Sequence, residues 1–213
     1  MNQWSMSGLV AYWKAGGAYM WPLTICIIVG AAYVIERCIT HWMARINMRK
    51  FMDELKVIIK KDGVEKGIEY CQEYKSPAAK IIKSALESYE KIGPHRDAVE
   101  ESVAHSGMEE LAFLDRGLTV LAAVSTIAPL LGFLGTVSGM IHAFQAIAIA
   151  GEVEPTLVAS GISEALITTA VGLSIAFPVV SFHVYFTSRS NEYTRMMESA
   201  ATELIAFLME EKP

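Results

Sequence analysis

The sequence predicts an all-α integral membrane protein with three transmembrane helices, two of which are very long and extend into a cytoplasmic helical bundle. Residues 117–151 contain no Asp, Glu, Lys or Arg, and residues 155–188 contain only one, Glu164. Uncharged stretches of this length are typical of helices that cross a bilayer. Hydrophobic residues make up 53% of the chain, which also favours a membrane protein.

The composition argues against several other classes of protein. The formal net charge is −5, and no basic cluster with interleaved aromatic residues occurs, so we expect no nucleic-acid partner. The three cysteines, Cys26, Cys38 and Cys71, form no CxxC pair, which argues against zinc and disulfides. Nucleophile elbows, Walker motifs and metal-ligand spacings are absent from the sequence. We therefore predict neither enzymatic activity nor a cofactor.

The first half of the chain predicts one interfacial helix, one span and one charged domain. Residues 1–19 are rich in aromatic residues, which concentrate at membrane interfaces. Residues 20–40 form the first transmembrane helix, in which Glu36 and Arg37 follow the apolar run. Residues 41–117 carry 13 of the 18 basic and 14 of the 23 acidic residues. They predict a cytoplasmic bundle of three or four helices, the last of which continues into the second span.

The second half predicts an antiparallel pair of long helices. Transmembrane helix 2 covers residues 118–150, whose 33 positions would span roughly 50 Å against a bilayer core of about 30 Å. Its cytoplasmic end should therefore project beyond the membrane. Residues 151–156 form a short periplasmic turn, residues 157–187 form transmembrane helix 3, and residues 188–213 form a cytoplasmic helical tail.

Basic residues near the helix ends predict the orientation. Arg37, Arg45 and Arg49 lie near the C-terminal end of the first span, Arg116 precedes the second, and Arg189 follows the third. The turn at 151–156 has no Lys or Arg. By the positive-inside rule, the N-terminus and this turn face the periplasm, and the C-terminus faces the cytoplasm.

Two threonines are expected at one depth in the membrane. Thr136 lies 14 residues from the outer end of the second span, and Thr169 lies 12 residues from that of the third. Both would sit roughly 20 Å below the outer boundary. Pro129 and Pro178 also match in depth. If several subunits surround an axis, the two hydroxyls would contribute to a polar ring.

Small residues recur along the same faces of the two long helices. Such stripes let helix backbones approach closely, but a narrow pore also needs small walls, so both interpretations remain open. The stripe positions assigned to helix packing and to the pore wall are Pro129, Gly132, Gly135, Gly139, Gly172 and Pro178.

Glu164 is the most specific functional candidate in the sequence. A carboxylate at membrane depth is costly, which makes it a functional-site candidate by default. Thr168 follows four residues later, on the same helix face. Glu164 either faces an ion path near its outer part or hydrogen bonds to a neighbouring subunit, and the sequence leaves both alternatives open.

A haem bound between His142 and His183 is not expected. His142 lies about eight residues below the outer surface and His183 about 26 residues below it. The two imidazoles would therefore differ in depth by roughly 27 Å, too far to bind one iron.

Three stretches resemble the ExbB/TolQ/MotA proton-channel family. Residues 16–23 with 34–37 are similar to the start of ExbB-type proteins, residues 128–141 to the second-span motif, and residues 161–173 to the third-span motif. Phe133 stands where the family more often has Leu. Three spans and a modest loop favour the ExbB/TolQ branch over the flagellar stators, which carry a fourth span.

The resemblance implies an assembly and a role for each site residue. It implies a homopentamer in the inner membrane whose second and third spans surround two copies of an ExbD/TolR-like single-span subunit with a membrane Asp. A TonB-like or other periplasm-spanning protein is a further candidate partner. The residues expected along the ion path are Thr136, Thr169, Glu164, Thr168 and Ser138. The transported ion is expected to be H+, and Na+ remains an alternative.

The predicted function is that of a channel subunit in a motor driven by the proton-motive force, which acts on the cell envelope or energises outer-membrane transport. The alternatives are a non-conducting membrane scaffold and a flagellar or gliding-type stator subunit. Which system the motor powers is left open by the sequence.

Overall fold

A computed structural model describes residues 6–93, 95–151 and 155–210. Within these ranges the ordered elements are helices and no strand occurs, which confirms the all-α prediction. Helical stretches 20–62, 96–149 and 158–210 each contain a segment long and apolar enough to cross a membrane. The helices are α1 (Met6–Ala15), α2 (Met20–Met43), α3 (Met48–Asp62), α4 (Val64–Gln72), α5 (Pro77–Ile92), α6 (Arg96–Asp115), α7 (Leu118–Ala150) and α8 (Pro155–Glu210).

The chain divides into two compact units. Unit 1 comprises residues 1–35 and 117–184, and unit 2 comprises residues 36–116 and 185–213. Unit 1 therefore contains α1, most of α2, α7 and the first half of α8. Where the bilayer lies along these helices stays a prediction, and so do the domain boundaries and the orientation that depend on it.

A left-handed glycine separates α6 from α7. Gly117 has a φ of 89°, which residues with a Cβ rarely adopt. The Arg116 amide closes α6 by donating to the Ala112 carbonyl at 3.0 Å. The sequence analysis expected one unbroken helix from the bundle into the second span. The structure has two helices instead, because the glycine conformation ends one and starts the other.

Helix α8 is continuous over 56 residues, a stretch that the sequence analysis divided into a span and a tail. Residues 179–210 contain neither Gly nor Pro, so no helix-breaking residue separates the two parts. Pro178 lies inside α8 and Pro129 inside α7, and both helices continue through their proline.

Unit 2 is built on a conventional apolar core. Helices α3, α4 and α5 bury one face each, as their helical hydrophobic spacing predicts, and the C-terminal part of α8 packs against them. The fully buried side chains of this core include Leu55, Leu86, Val99 and Leu204. This cluster accounts for the compactness of the charged part of the chain, because its ionised residues lie on the opposite helix faces.

Arg37 is the largest fully buried side chain of the protein, with 1% of its surface exposed. One terminal nitrogen donates to the backbone carbonyls of Leu114 at 2.8 Å and Phe113 at 3.2 Å. The rest of the guanidinium forms an ion pair with the half-exposed Glu36. The carbonyls at a helix C-terminus have no partner within the helix and favour a cation, so Arg37 satisfies the end of α6 within unit 2.

Replacing Arg37 with Lys should lower the stability of the protein. Lysine cannot reproduce the planar fork that serves Glu36 and two carbonyls together, so we expect a loss of about 1.5–3 kcal/mol. Thermal unfolding in detergent should show the midpoint falling by several degrees. Arg45→Lys, at an exposed position, is the matched control and should leave the midpoint unchanged. Equal midpoints for both variants would contradict the stabilising role of Arg37.

Cys71 of α4 should be unreactive toward thiol reagents in the folded protein. Only 2% of its surface is exposed, and burial raises the pKa of its thiol to about 12. Because the thiolate is the reactive form, a maleimide at pH 8 should label Cys71 only after unfolding. In a variant whose sole cysteine replaces the exposed Lys66 on the same helix, labelling should be fast without denaturant.

The same pKa difference gives the expected effect of pH on stability. The thiol ionises in the unfolded chain near its ordinary pKa of about 8.5 but in the folded chain only near 12. The stability that Cys71 contributes is therefore fully present below the unfolded pKa and is lost as the pH rises toward 12. Labelling of native Cys71 at pH 8 would contradict this assignment.

Candidate functional site at the α7–α8 interface

Helices α7 and α8 lie so close that their backbones touch. A Cβ added to Gly172 would stand 2.6 Å from the carbonyl oxygen of Ala128, and one added to Gly132 would stand 2.9 Å from that of Thr168. Both distances are shorter than van der Waals contact, and backbone atoms cannot rotate away as a side chain can. Glycine is therefore required at both positions for this approach.

The close approach continues toward the end of α7 and the start of α8. Gly139 and Gly161 face each other, and a Cβ on either one would stand 2.8 Å from the other's carbonyl oxygen. Ala143 packs on Gly161 next to this point. Small residues thus allow helix packing at successive turns, as the stripe pattern suggests. Whether the same residues also wall a pore stays a prediction.

Thr136 and Thr169 meet at this interface. Their hydroxyls hydrogen bond to each other. Thr136 Oγ1 also lies 3.2 Å from the carbonyl oxygen of Ala165, and Thr169 Oγ1 lies 3.1 Å from that of Gly132. Both threonines are half-buried. Each hydroxyl has one proton and two lone pairs, so the pair can exchange donor and acceptor roles while one edge remains accessible.

Thr168 is placed differently from Thr169. Its side chain is 0% exposed and packs on Gly135 of α7, and its hydroxyl donates to the Ala165 carbonyl at 2.9 Å. Thr168 thus has no surface through which an ion could reach it within the described chain. Ser138 is half-buried, two positions beyond Thr136 on α7. Their places on the ion path stay predictions.

Glu164 contacts the turn between α1 and α2 rather than the face of α7 that receives Thr168. The carboxylate lies against Gly17, where an added Cβ would overlap with it, and Gly17 has a φ of 67°. The neighbouring Gly16 approaches the side chain of Ile167. The turn leads into the start of α2, whose first amides donate to the carbonyls of Gly17 and Ala18. Glu164 is half-buried.

A cavity of about 410 Å³ adjoins Glu164. Its polar lining comprises Glu164, Ser160 and Ser163 from α8 and His142 from α7. His142 entered the sequence-based predictions only as a haem ligand that its depth rules out, and its position beside Glu164 was missed. The signal was available, because His142 lies eight residues from the end of α7 and Glu164 nine from the start of α8, which places them at similar depth.

The two prolines and the second histidine lie elsewhere. Pro178 lines an apolar cleft of about 470 Å³ between α2 and α8, opposite Ile27 and Val34, and Pro129 is half-buried in α7. His183 is half-buried on α8, far along the helices from the level of His142. The absence of a haem or another cofactor stays a prediction.

The comparison with known families settles the class of protein. Residues 73–199 match the family described as the MotA/TolQ/ExbB proton channel family. This chain belongs to that family. The match contains the whole α7–α8 contact and the threonine pair, so it confirms the resemblance drawn from the sequence motifs.

Individual relatives point to the ExbB and TolQ branch. The chain is 28% identical over 183 residues to the putative biopolymer transport protein ExbB homolog of Methanothermobacter thermautotrophicus. This match covers 84% of this chain and 63% of that protein. It is 28% identical over 200 residues to the biopolymer transport protein ExbB of Neisseria meningitidis serogroup A, covering 87% and 88%. The Tol-Pal system protein TolQ of Pseudomonas aeruginosa is 32% identical over 141 residues, covering 62% and 61%.

The backbone contact at Gly172 yields a stability prediction. Gly172→Ala should force α7 and α8 apart and destabilise the protein by about 1–3 kcal/mol, the usual cost of overpacking. Thermal unfolding in detergent measures the loss. Gly107→Ala is the matched control, because an added Cβ there meets nothing within 4 Å. Inside α6 the control should raise stability by up to about 1 kcal/mol. Equal unfolding midpoints for the two variants would contradict the contact.

Proposed function

We propose that this chain is the channel-forming subunit of an inner-membrane motor driven by an ion gradient. Five copies would surround two ExbD/TolR-like single-span subunits, and α7 and α8 of each copy would face the partner helices. A TonB-like or other periplasm-spanning protein would receive the motion. Membership of the proton-channel family supports the channel, and relatives named for biopolymer transport and the Tol-Pal system support the envelope role.

The observation that carries this proposal is the Thr136–Thr169 hydroxyl pair. Each threonine lies 14 residues from the outer end of its helix, or roughly 21 Å below it. The pair shares two protons among more than two acceptors, because the carbonyls of Gly132 and Ala165 also lie within 3.3 Å. A hydroxyl that can accept one proton and release another is suited to relaying protons to an acidic residue on a partner helix.

Energy conversion follows from the charge that moves. One elementary charge crossing 100 mV releases about 2.3 kcal/mol. A proton that neutralises the partner's membrane Asp removes the cost of a buried carboxylate, so the partner helix can take a new position against the subunit ring. Several protons in sequence would drive rotation or rocking. The chain itself would form no covalent intermediate and hold no cofactor, which is the behaviour of a channel rather than an enzyme.

The orientation belongs to the same proposal. With the N-terminus and residues 151–156 in the periplasm and the C-terminus in the cytoplasm, the end of α7 and the start of α8 would meet the side of higher proton concentration. Glu164 and the α1–α2 turn would then lie on the uptake side of the threonine pair. The arginines that follow α2 and precede α7 in the sequence would lie on the cytoplasmic side, as the positive-inside rule requires.

Removing the hydroxyl of Thr136 tests this function. Complexes of this chain with its single-span partner are reconstituted into vesicles, and a pH-sensitive dye reports proton uptake. Thr136→Val should lower the flux by about tenfold, because one lost hydrogen bond of roughly 1.4 kcal/mol on the barrier has that effect. Thr136→Ser, which keeps the hydroxyl, is the matched control and should conduct.

The same preparation separates the remaining alternatives. Normal assembly together with wild-type flux in Thr136→Val would support the non-conducting scaffold and overturn the proposal. Replacing all sodium with choline in the buffers distinguishes the ions, since proton uptake should continue unchanged and a sodium-driven complex should stop.

A further inference from the structure

The cavity beside Glu164 combines the properties of a hydrated vestibule. Its volume of about 410 Å³ can hold several water molecules, and a polar lining is what keeps such a space wet. Glu164, Ser160 and Ser163 from α8 and His142 from α7 supply that lining, and Ala15 at the end of α1 completes it on the third side. Residues from three elements thus border one polar space near the end of α7 and the start of α8.

The vestibule lies above the threonine pair along the same two helices. His142 is six residues nearer to the outer end of α7 than Thr136, and Glu164 is five residues nearer to the start of α8 than Thr169. These separations correspond to roughly 9 and 8 Å along the helix axes. A proton in the vestibule therefore stands one to two helical turns outside the hydroxyl pair.

The titratable groups of the vestibule are His142 and Glu164. Among the described residues that line it, these are the two ionisable side chains. Helix α1 contributes only Ala15, and its neighbour Lys14 is exposed. The α1–α2 turn presents Gly17, which has no side chain, to the carboxylate. An imidazole and a carboxylate thus face one wet space from opposite helices.

We propose that this cavity is the outer vestibule of the ion path and that His142 is the residue that makes it specific for protons. The inference rests on the proposed function and assigns its ion. A carboxylate alone would accept Na+ as well as H+, since hard cations bind oxygen ligands. Imidazole changes charge between pH 5 and 8, and its protonated form repels a sodium ion from the adjoining carboxylate.

A proton moves from the outer water to the threonine pair in three steps. The neutral imidazole of His142 accepts a proton from hydronium on the outer side and becomes imidazolium. It then releases that proton through water to the carboxylate of Glu164, which becomes a carboxylic acid while the imidazole returns to its neutral form. Glu164 passes the proton through water to the Thr136–Thr169 pair, which at the same time releases a hydroxyl proton to the acidic residue of the partner helix, and Glu164 is a carboxylate again. One proton has moved inward, and no bond other than those to hydrogen has changed.

Access of water to the cavity is tested first, without any measure of conduction. Ser163→Cys is introduced into a chain whose native cysteines are replaced by serine, and the assembled complex with its partner is treated from the outer side with a charged, membrane-impermeant thiol reagent. Modification is expected at Ser163→Cys. The matched control on the same helix, Leu166→Cys, replaces a residue that is 64% exposed but outside the cavity lining, and should stay unmodified. A thiol at 163 that reacts only after denaturation would overturn the proposal.

His142→Gln tests the role of the imidazole. Proton flux into vesicles that contain the complex should fall roughly tenfold. This is less than the ~10²-fold rate effect of many positioned proton donors, because water can replace part of the proton transfer by the imidazole. The dependence of flux on outer pH between 5 and 8 should disappear, and the ratio of H+ to Na+ flux should fall. His105→Gln, the same change at a histidine that is 74% exposed on α6, should leave the flux, the pH profile and the ion ratio unchanged.

The outcomes separate this inference from the function on which it rests. If the wild-type complex conducts, Thr136→Val blocks flux and His142→Gln keeps the wild-type flux, pH profile and ion ratio, only the role of His142 is overturned. If the wild-type complex does not conduct, the proposed function itself fails, and the labelling of Ser163→Cys still reports whether the cavity is hydrated.

Discussion

The backbone contact between α7 and α8 is the constraint on which the candidate site depends. Glycines at 132 and 172 bring peptide groups of the two helices into direct contact, and Gly139 with Gly161 repeats the arrangement nearer the end of α7 and the start of α8. Larger side chains at these glycine positions would hold the two helices apart, and with them the threonines that face each other across the interface. Here Thr136 and Thr169 bond directly.

The same contact divides the polar residues of α8 between different surroundings. The side chain of Thr168 is buried in the glycine-lined interface. Glu164, one helical turn nearer to the start of α8, contacts the α1–α2 turn and a polar cavity. Two residues that share a helix face in sequence thus serve different physical roles. Thr168 is buried, and its hydroxyl hydrogen bonds within the helix pair. Glu164 has its carboxylate next to a space that can hold water, where the charge costs less free energy.

Unit 2 relies on a different balance of forces. Its helices pack through an apolar core in which ordinary burial stabilises the fold, and one buried arginine satisfies the carbonyls at the end of α6. Arg37 acts where α6 ends, by occupying carbonyls that the end of the helix leaves without a partner. The hydrogen bonds of Arg37 thus pair backbone carbonyls at the end of α6 that apolar packing would leave without a partner.

The sequence by itself determined the helical class, the three apolar stretches and the equal depth of Thr136 and Thr169. The length of an uncharged stretch and the rise per residue of a helix can be derived from one segment, without knowing which other segment packs against it. Its motifs also indicated the family. Tertiary structure alone decided that Thr168 is sealed while Glu164 borders a cavity. The level of His142 could be read from the sequence, but not that it lines the same cavity. Helical spacing gives the direction of a side chain but not the element that faces it, and the α1–α2 turn that meets Glu164 is distant from α8 in sequence.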